Sequence, residues 1–130
     1  MVDYSFDRQI EPAQLQDLLR QAGWANQRSI EGIQKMLEGT PLTLGAWEGA
    51  RLVGFARVIT DGIYRALIDD VVVEESKRGT GIGSELMRRL IEELAEVEEV
   101  FLHCGEQVVS FYEQHRFERS YGVVMDLKKD

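Results

Sequence analysis

The stretch Arg78-Gly79-Thr80-Gly81-Ile82-Gly83, set between an apolar run and an amphipathic one, constrains this chain more than any other feature. Its glycines let consecutive backbone N–H groups turn toward one point and let a ligand approach the main chain. Behind the loop, Ile82, Leu86, Met87, Leu90, Ile91 and Leu94 recur at the spacing of one helix face, with Arg88, Arg89, Glu92 and Glu93 on the other. A helix starting there adds unpaired first-turn N–H groups and the positive end of its dipole. Phosphate or diphosphate suits such a site. The same composition also suits a turn that merely joins a strand to a helix. A P-loop ends in Gly-Lys-Ser/Thr, whereas Ile82-Gly83-Ser84 stands here. A dinucleotide fingerprint places glycine at the position of Ser84 and follows its strand directly, yet Glu74-Glu75-Ser76-Lys77 intervene. Glu98 or Glu99 falls about 20 residues on, so a nucleotide-binding reading stays open.

The rest of the pattern supplies the element order. Tyr4 to Arg8 reads as a first strand. Pro12 opens a helix with Leu15, Leu18 and Leu19 inward and Gly23 as its end. Ser29 caps a second helix with Ile33, Met36 and Leu37 inward and Gly39 as stop. Leu42–Trp47, Leu52–Ile59 and Ala66–Val73 read as a three-stranded meander turned at Glu48–Arg51 and Asp61-Gly62. Val71, Val72 and Val73 are apolar on successive residues, which predicts that both faces are covered there. After the long helix come a strand over Val97–His103, a helix over Gln107–His115, and a final strand or hairpin over Phe117–Leu127 turned at Tyr121-Gly122. The order β-αα-βββ-α-β-α-β(β) predicts an α/β (α+β) fold, a mixed sheet with helices on both faces. With 130 residues, no internal repeat and no linker-like segment, residues 1–130 read as one domain.

Charge and cysteine content narrow the partners. Fifteen basic against 23 acidic residues leave a net charge of −8, the opposite of a nucleic-acid-binding footprint. Cationic amines suit such a surface. Cys104 is alone, so no intrachain disulfide forms. No apolar run approaches membrane-spanning length, so no membrane partner is expected. The N-terminus lacks a secretory pattern, so a cytoplasmic location is the default expectation.

Val71-Val72-Val73 followed by the glycine loop resembles the acyl-CoA signature of the GNAT N-acetyltransferase superfamily, Gln/Arg-x-x-Gly-x-Gly/Ala, carried here by Arg78, Gly81 and Gly83. Phe111-Tyr112-Glu113-Gln114-His115-Arg116-Phe117 is similar to the family's Phe-Tyr-x-x-x-Gly-Phe, with Arg116 where the family has glycine. The resemblance implies a mostly antiparallel central sheet. It also implies acetyl-CoA as co-substrate, no metal, and transfer of the acetyl group to a primary amine on a small molecule or protein by direct attack in a ternary complex. Backbone N–H groups of Arg78, Gly79, Thr80, Gly81, Ile82, Gly83 and Ser84 would hold the diphosphate. The pantetheine arm would pair beside Val71, Val72 and Val73, which requires the neighbouring strand to splay, and Tyr112 would sit near the sulfur. Many relatives place an asparagine that touches CoA near Cys104-Gly105-Glu106-Gln107. Glu106 is unsuited to phosphates, so that contact is not carried over. The net charge does not defeat an anionic ligand, because exposed charges are largely screened beyond about 8 Å. Lys77, Arg78, Arg88 and Arg89 are local exceptions to the acidic surface.

Protonation states set the chemistry. An alkyl amine titrates near 10.4, so only about one molecule in a few thousand is neutral at pH 7. The site must accept a proton before nitrogen attacks, and the released thiolate needs one. Tyr112 suits the general-acid role. Asp69 and Asp70 lie in the third meander strand and face opposite sides. Asp70 is the candidate base, since many relatives carry an acid three places before the last strand valine. A water chain to backbone carbonyls is an equal route, and a solvated strand end accounts for both acids without chemistry. His103 and His115 are further proton acceptors. With Cys104 they lack a zinc spacing. Cys104 reads as a small buried residue, Trp24 and Trp47 as core or cleft wall, and Arg57 and Tyr64 as cleft lining. A CoA-binding regulatory domain without turnover is the alternative function. An exposed C-terminal sheet edge suits a homodimer.

Overall fold

The computed structural model describes residues 1–130. Strands β1 (Asp3–Ser5), β2 (Leu42–Glu48), β3 (Arg51–Thr60), β4 (Arg65–Val73) and β5 (Glu99–Leu102) form one sheet in that spatial order. Neighbours are antiparallel except β4 and β5, which run parallel. Helices α1 (Pro12–Arg20) and α2 (Ile30–Gly39) cover one face, and α3 (Ile82–Glu93) covers the other. Short α4 (Val109–Glu113) follows β5. The mixed, largely antiparallel sheet with helices on both faces is as the sequence implies.

Local chemistry explains the elements. Pro12 occupies the first turn of α1, where its missing N–H is not needed, and Leu15, Leu18 and Leu19 bury the helix. Ser29 caps α2 by accepting from Gly32 N–H at 3.0 Å. Asp61 Oδ1 accepts from the amides of Ile63 and Tyr64, both at 2.8 Å, and so shapes the β3–β4 turn. On α3 the predicted stripe is buried at Ile82, Leu86, Met87 and Leu90, with Ile91 at its exposed margin. Each buried aliphatic side chain there contributes about 1.5–3 kcal/mol. Leu86→Ala is expected to cost about 2–5 kcal/mol, read from the urea midpoint, because the packed sheet below cannot fully collapse.

One expectation fails. Residues 118–130 form no strand, because their amides find no ladder partner on the sheet. Of the three valines ending β4, Val72 is buried in the core of the α1 side, and Val71 and Val73, partly buried, pack against the core on the other face, so both faces are covered there. No helix is long and apolar enough to cross a membrane.

Candidate active site

The opening begins with a backbone irregularity in β4. Arg57 pairs with Asp69 and Phe55 with Val72, so Asp70 and Val71 together face Ala56 alone. This is a bulge, and Asp70 carries it at φ +53, in the left-handed region that Asp tolerates better than most side chains. Pairing of β4 with β5 stops just before it, at Ile68 and Leu102. Glu74 N–H donates to Val53 O at 2.8 Å. By alternation, the amides of Val71 and Val73 point away from β3 into the gap.

Asp70 is 4% exposed and its Oδ2 accepts from Arg28 Nη1 at 2.7 Å and Arg57 Nε at 2.6 Å. Arg57 Nη2 also reaches Asp69 Oδ2 at 3.3 Å. The hydrogen bond to Asp70 holds the Arg28 guanidinium above its ordinary pKa against the opposing effect of burial. Arg28 lies between α1 and α2, so the pair ties the helical face to the bulge. Sequence pattern gave no signal for Arg28, because its partner lies 42 residues away.

The glycine loop closes the other end. Its amides divide into two sets. Arg78 N–H donates to Glu75 O and Thr80 N–H to Lys77 O, both at 3.3 Å. The amides of Gly79, Gly81, Ile82, Gly83 and Ser84 have no acceptor within the chain. Gly81 is the N-cap of α3 at φ +96, a conformation that costs a residue with a Cβ. At Gly83 a Cβ would lie 3.3 Å from the Phe111 ring. Five donors without an acceptor therefore gather at and just before a helix start, which fits a diphosphate. Arg78 Nε donates to Val73 O at 3.2 Å, and Lys77 Nζ pairs with Glu48 at 2.8 Å. Within α3, hydrogen bonds from Arg88 and Arg89 lower the Glu85 carboxyl to about 2. NMR titration of that carboxyl should give a midpoint near this value.

Bulge and loop face one cavity of about 780 Å³. Val71, Val72, Val73, Arg78, Gly79, Gly81, Ile82, Gly83, Ser84 and Tyr112 line it, as do Trp24 and Phe111. Thr80 and Asp70 do not. Tyr112 packs edge-to-face on Phe111, ring centroids 5.0 Å apart, and on Phe117 at 6.1 Å. Burial, and secondarily the neighbouring Cys104, push its phenol up to about 12. The hydroxyl therefore keeps its proton at any physiological pH.

Other candidates scatter. His115 Nε2 lies 3.3 Å from Ser84 Oγ and its ring packs on Phe111. His103 and Cys104 are exposed, so Cys104 is not a core residue. Trp47 is buried beneath Arg8, whereas Trp24 is 59% exposed at the cavity wall with the Arg28 guanidinium 5.9 Å from its ring. Tyr64 is exposed. Glu106 pairs with Arg119 at 2.8 Å. A smaller cleft of about 480 Å³ beside α1, lined by Gln14, Asp17, Arg51 and Glu74, gathers no nucleophile or proton carrier in an apolar setting.

Known proteins resemble this chain in sequence and in fold. An uncharacterized ycf52-like N-acetyltransferase of Prochlorococcus marinus is 34% identical over 85% of this chain and 64% of its own, so the chain spans under two-thirds of that relative. Serotonin N-acetyltransferase 2 of Oryza sativa subsp. japonica, chloroplastic, is 40% identical over 58% of this chain and 36% of its own. The solved GNAT-family protein of Streptococcus pneumoniae superposes with a TM-score of 0.83 at 24% identity, covering 99% of this chain and all of that one. The model of the acetyltransferase (GNAT) family matches residues 6–117. The bulged strand, the open glycine loop and the following tyrosine thus belong to a chain that is a member of the GNAT acetyltransferase family.

Proposed function

We propose that this chain is an acetyl-CoA-dependent N-acetyltransferase acting on a primary amine. The observation that carries the reading is the set of five acceptor-free amides at the head of α3, sharing one cavity with the β4 gap and a protonated tyrosine. Acetyl-CoA supplies an activated acetyl group as a thioester. Gly79, Gly81, Ile82, Gly83 and Ser84 hold its diphosphate through main-chain N–H groups. Val71 and Val73 offer the free strand edge to the pantetheine arm. Attack is direct, in a ternary complex.

Tyr112 provides the proton for the leaving sulfur. The burial that raises its phenol raises a thiol beside it as well, since each is charged only when deprotonated. Asp70 is a positioning residue in this reading, because its charge is already committed to Arg28 and Arg57. The amine's proton leaves through water. Trp24 offers aromatic surface at the cavity wall, and one relative is a serotonin N-acetyltransferase. Arylalkylamines therefore head the acceptor panel, ahead of polyamines and basic peptides.

The test mixes the protein, acetyl-CoA, a panel of amines and a thiol reagent, and follows free CoA. Turnover with one amine supports the reading. Thermal protection by CoA without turnover across the panel makes the chain a CoA-binding regulatory domain. Protection by NAD or ATP and none by CoA overturns both. Gly81→Val is expected to abolish CoA protection while the protein still melts cooperatively, because the αL cap admits no branched side chain without strain.

A further inference from the structure

Two hydroxyls lie in the glycine loop and the start of α3, and they are placed differently. Thr80 donates its hydroxyl proton to Lys77 O and does not line the cavity, whereas Ser84, the third residue of α3, does line it. Side chains on a helix lean toward its N-terminus, so the Ser84 hydroxyl leans toward the acceptor-free amides of Gly81, Ile82 and Gly83. Gly81, as the cap, has no side chain to occupy those amides.

The partner of the Ser84 hydroxyl within the chain is His115, whose Nε2 lies 3.3 Å from Oγ. Glycine at position 83 permits this approach. The Phe111 ring sits 3.3 Å from where a Cβ would stand, and His115 packs edge-to-face on that ring, centroids 5.0 Å apart. His115 N–H donates to Tyr112 O at 2.9 Å and fixes the root of the side chain. A serine hydroxyl has a single proton, so the direction of the Ser84–His115 bond matters. If Ser84 gives that proton to Nε2, an oxygen lone pair faces the cavity and repels phosphate oxygens. If Nε2–H donates instead, the serine proton is free to turn to the anion. A bound diphosphate favours the second arrangement, because only that one offers it a donor.

We propose, on the footing of the acetyl-CoA reading above, that His115 is a positioning residue for the co-substrate. It donates through Nε2–H to Ser84 Oγ and so turns the Ser84 O–H onto the diphosphate, a side-chain donor beside the five amides. This makes His115 a donor, where the sequence suggests a proton acceptor.

Calorimetric titration with CoA tests this role. Ser84→Ala should weaken binding about tenfold or more, the scale of one hydrogen bond to a charged group. His115→Leu should weaken it about threefold to tenfold, since a hydroxyl left free must be ordered on binding. The double variant should bind no more weakly than Ser84→Ala, because the imidazole acts through the hydroxyl. His115→Gln, which keeps an N–H donor, should recover most of the loss. Pantetheine, which lacks the diphosphate, should bind every variant as it binds the wild type. Losses that add in the double variant, an equal loss of pantetheine binding, or unchanged CoA affinity in His115→Leu overturn the role. A nitrogen NMR spectrum of the wild-type CoA complex needs no substitution: a proton on His115 Nε2 supports the role, and its absence overturns it. Wild-type protein that binds no CoA overturns the acetyl-CoA reading as well, whereas CoA binding that the variants leave unchanged overturns the role of His115 alone.

Discussion

Tyr112→Phe is expected to lower kcat by about 10²–10⁴-fold, the usual contribution of a positioned proton donor. CoA binding should be unchanged, because the ring and its contacts with Phe111 and Phe117 are retained. The phenol at about 12 also fixes the shape of the pH profile. An acid that is fully protonated below that value imposes no falling limb at moderate alkalinity. The profile should therefore keep rising to about pH 10 as the acceptor amine loses its proton, with no fall on the way. A fall beginning near pH 8 would assign the proton to another group. Wild-type kcat in Tyr112→Phe would do the same.

Asp70→Ala is the second large effect, and it falls on stability. Removing the carboxylate leaves Arg57, which is nearly enclosed, with only Asp69 at 3.3 Å, and Arg28, which is half-exposed, without its partner. Stranding a charge of this kind costs about 3–5 kcal/mol, with the lower end expected because Arg28 still reaches water. Asp70→Asn should cost less, since asparagine tolerates the left-handed backbone and still accepts hydrogen bonds. The urea midpoints of the two variants check both statements. Turnover separates the roles. If Asp70→Asn folds and keeps kcat within about tenfold, below the range of a general base, water carries the amine's proton. A loss of 10²-fold or more returns the base to Asp70.

Local signals in the chain were legible, and long-range ones were not. The α3 stripe, the Ser29 cap and the glycine loop are set by neighbours within a few residues, so periodicity and residue type place them. The loop's chemistry is legible too, because glycine is the residue that frees backbone donors. The limits lie at Thr80 and Arg78, whose amides turn inward to Lys77 and Glu75, a detail of torsion rather than composition. Asp70 is legible as an acid within an apolar strand, yet its surroundings depend on Arg28 and Arg57, which only tertiary folding brings near. Residues 117–127 show the converse. Their alternation reads as a strand, yet a strand also needs a ladder partner, and residues 118–130 have none on this sheet.

The β4 bulge makes the cleft a property of the resting chain. The gap is opened by one surplus residue, not by a hinge or a mobile flap, so it exists before anything enters. Solvent should then reach the Val71 and Val73 amides freely, and their deuterium uptake should be fast beside that of Val72. Saturating CoA should slow both together while leaving the remaining exchange pattern of the sheet almost untouched, as a lock does when its keyway is already cut.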